Sequence, residues 1–184
     1  MLEALASKVV SGIMAFGMML VASTEGNKAK FSDLNASYLN NGIIIETKLI
    51  DSFQNDFEQI FKSGKTIIID FNIEIKQNNE VLKNDSFAHS VTYDPMQQIY
   101  QVEIEEQEET IFTDKYRMML EKISIIEYYL WEKVTGPNLE VKIEASLRNL
   151  QLSTDKNYNL MLLWRYRKPT IKQKLRIGKN ELEN

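Results

Sequence analysis

The sequence contains no cysteine, one histidine and three prolines in 184 residues. Without cysteine there is no disulfide, no thiolate zinc site, no iron–sulfur cluster and no cysteine nucleophile. With His89 as the single histidine, any metal site would be built almost wholly from oxygen ligands. No ladder of Asp and Asn residues with a turn glycine provides such ligands. We therefore predict neither a metal nor a cofactor.

Motifs that indicate catalysis are also missing. The seven glycines are scattered, so no glycine-rich loop is available to hold a phosphate group. His89 has Asp85, Ser86 and Ser90 nearby in sequence, but adjacent strand residues point to opposite faces, so we interpret it as an ordinary strand residue. Among 26 acidic residues, no pair is singled out for glycoside hydrolysis. We predict no catalytic residue and no enzyme, with a hydrolase using an unrecognised carboxylate pair as the weakest alternative.

The first 26 residues differ in composition from the rest of the chain. Val9 to Ala22 is an uncharged apolar run of the length of a signal-peptide core, with Lys8 before it and small residues around Ala22. As a helix this run reaches about 21 Å, whereas a bilayer core is about 30 Å thick. A cleaved signal peptide, an uncleaved signal-anchor contacting the membrane through residues 1–23, and a buried core helix remain open. A cleaved signal peptide predicts a periplasmic domain. An uncleaved signal-anchor predicts a domain anchored in the inner membrane and facing the periplasm.

After Lys28, apolar and polar residues alternate, which is typical of strands with one buried face. Turn signals such as Asp94-Pro95 and Lys168-Pro169 separate the runs, so neighbouring strands are expected to pair antiparallel. We predict one domain over residues 27–178, with a frayed tail at 179–184. The predicted strands are Ile43–Leu49, Ile67–Ile75, Tyr100–Glu105, Leu139–Arg148, Tyr158–Tyr166 and Ile171–Ile177.

Two segments have helical spacing instead. The first contains Phe53, Phe57, Ile60 and Phe61, with Asp51 or Ser52 as N-cap and Gly64 as the C-terminal stop. The second contains Tyr116, Met119, Leu120 and Ile123, with Thr113 or Asp114 as N-cap. The pattern does not decide how far this helix continues into 125–134.

These elements predict a mainly β fold, with α+β as the alternative. We expect an antiparallel β-sandwich or a curved sheet, with two short helices and an apolar N-terminal helix before it.

Residues 29 to about 178 resemble a family of small bacterial envelope proteins that is described only as a domain of unknown function. The resemblance depends on Asp51-Ser-Phe53 before a helix closing on Lys62-Ser63-Gly64, the strand with Phe71 and Glu74, and the stretch His89–Val102. Two departures are Lys65-Thr66, where the family often has proline, and Gln77–Lys83, which replaces a tryptophan- and arginine-rich stretch. The resemblance implies an envelope location and supplies no activity or site residue.

The C-terminal strands are basic. If Trp164 and Tyr166 face the core, Arg165 and Arg167 point outward together, and the other cations share a face beyond the next turn. The candidate binding surface comprises Arg165, Arg167, Lys172, Lys174 and Arg176. It is either a solvated face or a contact for a partner protein or anionic headgroups. Inward-facing rings would leave no stacking platform, and the net charge is −4, so we predict no nucleic-acid partner.

An acidic run lies in the middle of the chain, at Glu103, Glu105, Glu106, Glu108 and Glu109. We interpret it as a solvated turn, with contact to a basic partner as the alternative. The leading function is a non-enzymatic envelope domain that acts by binding another protein. The alternative is a small-ligand or lipid-binding protein whose strands enclose a cavity.

Overall fold

The computed structural model describes residues 26–39, 42–54, 57–132, 134, 138–153 and 156–176. The predicted N-terminal leader helix and the tail 179–184 lie outside the described residues. Within those ranges the chain forms β1 (Lys30–Phe31), β2 (Asn35–Leu39), β3 (Gly42–Ile50), α1 (Phe57–Phe61), β4 (Ile67–Gln77), β5 (Glu80–Asp94), β6 (Ile99–Ile104), β7 (Glu109–Thr113), α2 (Tyr116–Ser124), β8 (Ile125–Leu130), β9 (Asn138–Leu147), β10 (Leu150–Ser153), β11 (Lys156–Tyr158) and β12 (Thr170–Arg176).

The larger sheet has six antiparallel strands in the order β12-β9-β4-β5-β6-β7. Its centre is β4, which pairs with β9 on one side and with β5 on the other. Along β4 every second side chain is buried, from Ile67 to Ile75, as a two-residue period requires. The same alternation holds along β9, from Leu139 to Leu147. The larger sheet therefore has one apolar and one polar face.

The smaller sheet is built around β3. Residues 43–46 of β3 pair with both β2 and β8, so these two strands occupy opposite edges, and β1 pairs with the end of β3. Ile43, Ile45 and Leu49 of β3 are buried, together with Ile126 and Leu130 of β8. This apolar face joins the apolar face of the larger sheet in a single hydrophobic cluster. The predicted mainly β, antiparallel fold is confirmed.

Aromatic rings connect the two layers. The ring of Phe87 on β5 stacks between Phe71 on β4, at 5.3 Å, and Tyr128 on β8, at 5.8 Å. At the other end of the core, the indole nitrogen of Trp164 donates to the carbonyl of Ser52 at 2.8 Å. Burial of such rings contributes strongly to stability because each removes a large apolar area from water.

The structure shows where the second predicted helix ends, which the sequence pattern did not decide. Helix α2 ends at Ser124, whose hydroxyl donates to the carbonyl of Leu120 at 2.6 Å, and β8 begins at the next residue. The predicted N-caps were wrong, because Lys115 occupies that position without a side-chain cap. The hydroxyl of Thr113 instead accepts from the Lys115 amide, one residue before the helix.

The predicted strand over 158–166 is wrong. Strand β11 ends at Tyr158, and Leu160–Trp164 forms a 3₁₀ helix that buries Leu160, Leu163 and Trp164. The side-chain oxygen of Asn159 accepts from the amide of Met161 and begins this turn. Local capping and a three-residue spacing of buried side chains therefore replace the expected alternation.

In the part of the chain that the structure describes, we find no helix with the length and apolar character needed to cross a membrane.

Candidate anion-binding surface

The polar face of the larger sheet carries a group of cations at the end where β12, β9 and β4 run side by side. Lys172, Lys174 and Arg176 are all exposed on one face of β12, as their spacing predicts. Register places Lys142 of β9 directly beside Lys172, and Glu140 beside Lys174. On the far side, Lys76 of β4 lies beside Glu140 and Glu74 lies beside Lys142. We call Lys76, Lys142, Lys172, Lys174 and Arg176 the basic patch.

Two carboxylates neutralise part of this patch. The Lys172 ammonium is 2.9 Å from Glu140, and the hydrogen bond from this ammonium holds the pKa of Glu140 below its usual value. The Lys76 ammonium is 2.8 Å from Glu74, and this hydrogen bond raises the pKa of Lys76. Among the described residues, Lys174 and Arg176 form no ion pair. Five cations therefore face two carboxylates, leaving an excess of positive charge.

A groove of about 340 Å³ lies beside Lys174 and Arg176, two of the three cations of the basic patch that form no ion pair among the described residues. Its walls combine Lys76, Lys174 and Arg176 with three asparagine residues and an apolar base. The remaining lining residues are Asn78, Asn79, Asn138, Leu139, Glu140 and Leu175. Asn78 and Asn79 adopt positive φ angles of 52° and 68° in the β4–β5 turn. Ammonium, guanidinium and amide groups all donate hydrogen bonds, so the groove can hold a carboxylate or another oxyanion.

Arg165 and Arg167 do not sit on a strand beside the other three predicted residues. Arg165 follows the 3₁₀ helix with φ 53°, and its Nε atom donates to the carbonyl of Gly26 at 3.1 Å. The amide of Arg167 donates to the carbonyl of Trp164 within the same turn. The alternation that was expected to point them outward together is absent, since Tyr166 is exposed rather than buried. Arg165 has a structural contact that the sequence did not indicate.

The sequence interpretation missed Lys76 and Lys142. Each occupies a polar position in a correctly predicted alternating strand, and that pattern was the available signal. The alternation of single strands did not indicate that β9 pairs with both β4 and β12. These pairings place Lys76 and Lys142 beside the cations of β12. Register depends on the packing of the buried faces, and single-strand periodicity does not specify it.

The acidic run is less solvated than expected. Its carboxylates lie at the end of β6, in a 3₁₀ turn at Glu105–Gln107 and at the start of β7. Glu103 accepts from Ser90 and Gln101, and Glu105 accepts from the amide of Ala88. Glu106 is buried, with its side chain 3% exposed. The solvated-turn interpretation therefore fails for Glu106.

Glu106 is buried because it meets His89. The Nε2 atom of His89 lies 3.0 Å from both Glu106 carboxyl oxygens, and Nδ1 lies 2.9 Å from the carbonyl oxygen of Ile123. A carbonyl oxygen only accepts, so Nδ1 is the donor to Ile123, and Nε2 is left facing the Glu106 carboxyl group. His89 therefore connects β5 to α2 and to the 3₁₀ turn through buried contacts. The prediction of an ordinary strand residue missed these contacts. Across the described ranges, no group of three or more His, Asp or Glu side chains is placed to hold a metal ion.

Comparison with protein-family models, with curated proteins and with solved structures found no match to this chain. The resemblance to the envelope family therefore stays a prediction.

Proposed function

We propose that this protein is a non-enzymatic binding domain of the bacterial cell envelope, and that it binds an acidic protein partner through the basic patch. The observation that carries the proposal is the convergence of five cations from three paired strands around two carboxylates. Lys174 and Arg176 are free to bind because no carboxylate among the described residues pairs with them. Exposed charges of this kind mainly increase association rate and salt sensitivity.

The envelope part of the proposal is supported by the apolar segment Val9–Ala22 and by the family resemblance. A reporter fused after Asn184 tests it. We expect activity from a reporter that requires export and none from one that requires the cytoplasm. The reverse pattern would overturn the envelope location while leaving the binding surface to be tested separately.

Partner binding is favoured over ligand enclosure by the packing of the molecule. The inner faces of the two sheets form one hydrophobic cluster, and an exposed apolar residue, Phe112, lies on the edge strand β7. An edge strand such as β7 has unpaired backbone groups that can pair with a strand of another protein.

The binding surface is tested by the double variant Lys174→Glu/Arg176→Glu. We expect it to lose co-purifying acidic partners from solubilised envelope at low salt, because screening weakens exposed charges at high salt. The control is Lys65→Glu/Lys115→Glu, which changes the net charge equally at two exposed lysines that form no ion pair among the described residues. Equal recovery by the wild type and both variants would show that the basic patch is only a solvated face.

A further inference from the structure

A second cleft lies between β5 of the larger sheet and β8 of the smaller sheet, and its lining shares no residue with the basic patch. Asp85 and Lys83 on β5 lie opposite Ile73 and Ile75 of β4, so they point toward the inner face of the larger sheet. Strand β8 meets them with polar groups: the Tyr128 hydroxyl donates to Asp85 at 2.8 Å. Between β5, the 3₁₀ turn and β8 lies an open cleft of about 660 Å³.

Aromatic rings form the apolar part of this cleft. Phe87 and Tyr128 are stacked and buried at its base. At its rim, Trp131 stacks on Tyr129 with a ring-centroid distance of 6.0 Å and an angle of 13° between the planes. Trp131 is nevertheless 65% exposed. An exposed tryptophan beside a cleft is the kind of residue that dominates the energy of a protein contact.

The charged lining of the cleft is negative. It includes Asp85, Glu105, Glu106 and Glu108 against a single ammonium, Lys83. That ammonium is already engaged, because it lies 3.0 Å from Glu132. A cationic occupant therefore meets no free positive charge in the lining, whereas an anionic occupant would meet several carboxylates.

These carboxylates differ in how far they are already satisfied. Asp85 accepts from Tyr128 and from the Ser86 amide, and Glu106 faces His89. Glu105 uses one oxygen for the Ala88 amide, and its charge also acts on Arg148. The side chain of Glu108 forms no hydrogen bond or ion pair among the described residues, and its backbone amide donates to the carbonyl of Glu105. Glu108 and the second oxygen of Glu105 are therefore the acceptors open to a ligand.

We propose that this cleft binds a lysine or arginine side chain presented by a protein partner. Such a side chain has an apolar stem and a cationic head. The stem matches the apolar side of the cleft, and the cation matches the exposed Trp131 ring and the carboxylates of Glu105 and Glu108. The proposal is independent of the basic patch, which would bind the opposite charge.

Tryptophan fluorescence tests the proposal directly, because the chain has two tryptophans. Trp164 is buried and bonded to Ser52, so a surface ligand that shifts the emission reports on Trp131. Pentalysine is expected to change the emission in a saturable manner at low ionic strength. A penta-acetyl-lysine peptide, with the same stems but no charge, is expected to leave it unchanged. Equal responses to the two peptides, or no response to pentalysine, would overturn the proposal.

Variants separate a specific cleft from general attraction to an acidic protein. Glu105→Gln/Glu108→Gln should weaken pentalysine binding about fivefold or more at low salt, because it removes both negative charges that face the ligand. The control Glu80→Gln/Glu121→Gln makes the same change in net charge at exposed positions outside the cleft lining. If both double variants weaken binding equally, the attraction is nonspecific and the proposal is wrong.

The aromatic contribution is measured by calorimetry, since Trp131→Ala removes the fluorescent reporter. We expect about two- to fivefold weaker pentalysine binding, as for a cation on an exposed ring. Phe112→Ala is the matched control, because Phe112 is also 65% exposed but lies on β7, outside the lining of the cleft. Unchanged binding by Trp131→Ala would exclude the aromatic rim from the site.

Discussion

At the scale of single residues, the contact between His89 and Glu106 is the most consequential polar interaction in the core. His89 is fully buried against the rings of Phe71 and Phe87, and its two ring nitrogens contact α2 and the 3₁₀ turn. Removing one partner of such a pair leaves the other buried without compensation, which is far more costly than replacing both with apolar groups.

We therefore expect His89→Phe to lower the free energy of unfolding by about 3 kcal/mol, because the Glu106 carboxyl loses its partner. The double variant His89→Phe/Glu106→Leu should recover a large part of this loss. Urea denaturation of the two single variants and the double variant measures the coupling. A single variant as stable as the wild type would mean that the pair contributes nothing.

The buried hydroxyl of Tyr100 provides a contrasting case. It has no hydrogen-bond partner among the described residues, whereas the Tyr128 hydroxyl donates to Asp85. Tyr100→Phe is therefore expected to be neutral or stabilising by about 1 kcal/mol, and Tyr128→Phe to be destabilising by about 1 kcal/mol. Thermal or urea unfolding of both variants distinguishes the two effects, and the same sign for both would contradict the assignment.

At the scale of elements, β9 shows how a strand of the larger sheet divides its residues between two environments. Ile143 is fully buried, while its neighbour Glu144 points to the polar face and lies 3.2 Å from Lys168. Ile143→Asp should cost several kcal/mol, about 3 or more, because an unpaired charge enters the apolar layer. Glu144→Lys should cost about 1 kcal/mol or less, since it exchanges an exposed ion pair for an exposed repulsion. Equal denaturation midpoints would show that the strand faces are reversed.

Periodicity identified the strands whose two faces differ strongly in polarity. β4, β9 and β12 lie where alternation placed them, because most of their outward residues are polar or charged. It failed in Leu160–Trp164, where all five residues are apolar and no period is visible. There, the Asn159 cap and the hydrogen bond from Trp164 to Ser52 favour a 3₁₀ helix. The contact with Ser52 spans 112 residues, so the local pattern of apolar residues does not reveal it.

At the scale of the whole molecule, the candidate sites depend on long-range pairing. Lys172, Lys174 and Arg176 could be predicted as one face from their spacing alone. Lys76 and Lys142 join them only through sheet register, and the cleft beside Trp131 exists only because β8 meets β5 and the 3₁₀ turn. The sequence therefore identified charged residues of these surfaces, but it did not show which strands bring them together.

Tyrosines in both layers determine how the molecule responds to alkaline pH. Burial raises the pKa of Tyr100, Tyr116 and Tyr128 above the ordinary value, with the hydrogen bond to Asp85 adding to the effect at Tyr128. A pKa that is higher in the folded state gives stability that is complete below the unfolded value and is lost as pH rises. We expect the free energy of unfolding to fall above about pH 10.

Denaturation midpoints measured between neutral pH and pH 11 test this expectation. Tyr116→Phe should reduce the slope, because one group that ionises only on unfolding is removed. A wild-type midpoint that does not change over this range would contradict it.

The central position of β4 also has a consequence for the order in which the protein can fold. Strand β5 follows β4 after a two-residue turn, but β9, its other neighbour, comes much later in the chain, and Arg148 and its partner Asp70 are 78 residues apart. Forming such non-local pairs requires closing a long loop first, which slows folding. During synthesis, one edge of β4 stays unpaired until β9 has been made. If the chain crosses the membrane before it folds, β4 and β9 pair only after export. The unpaired edge of β4 is then not exposed to other chains in the compartment where the protein is made.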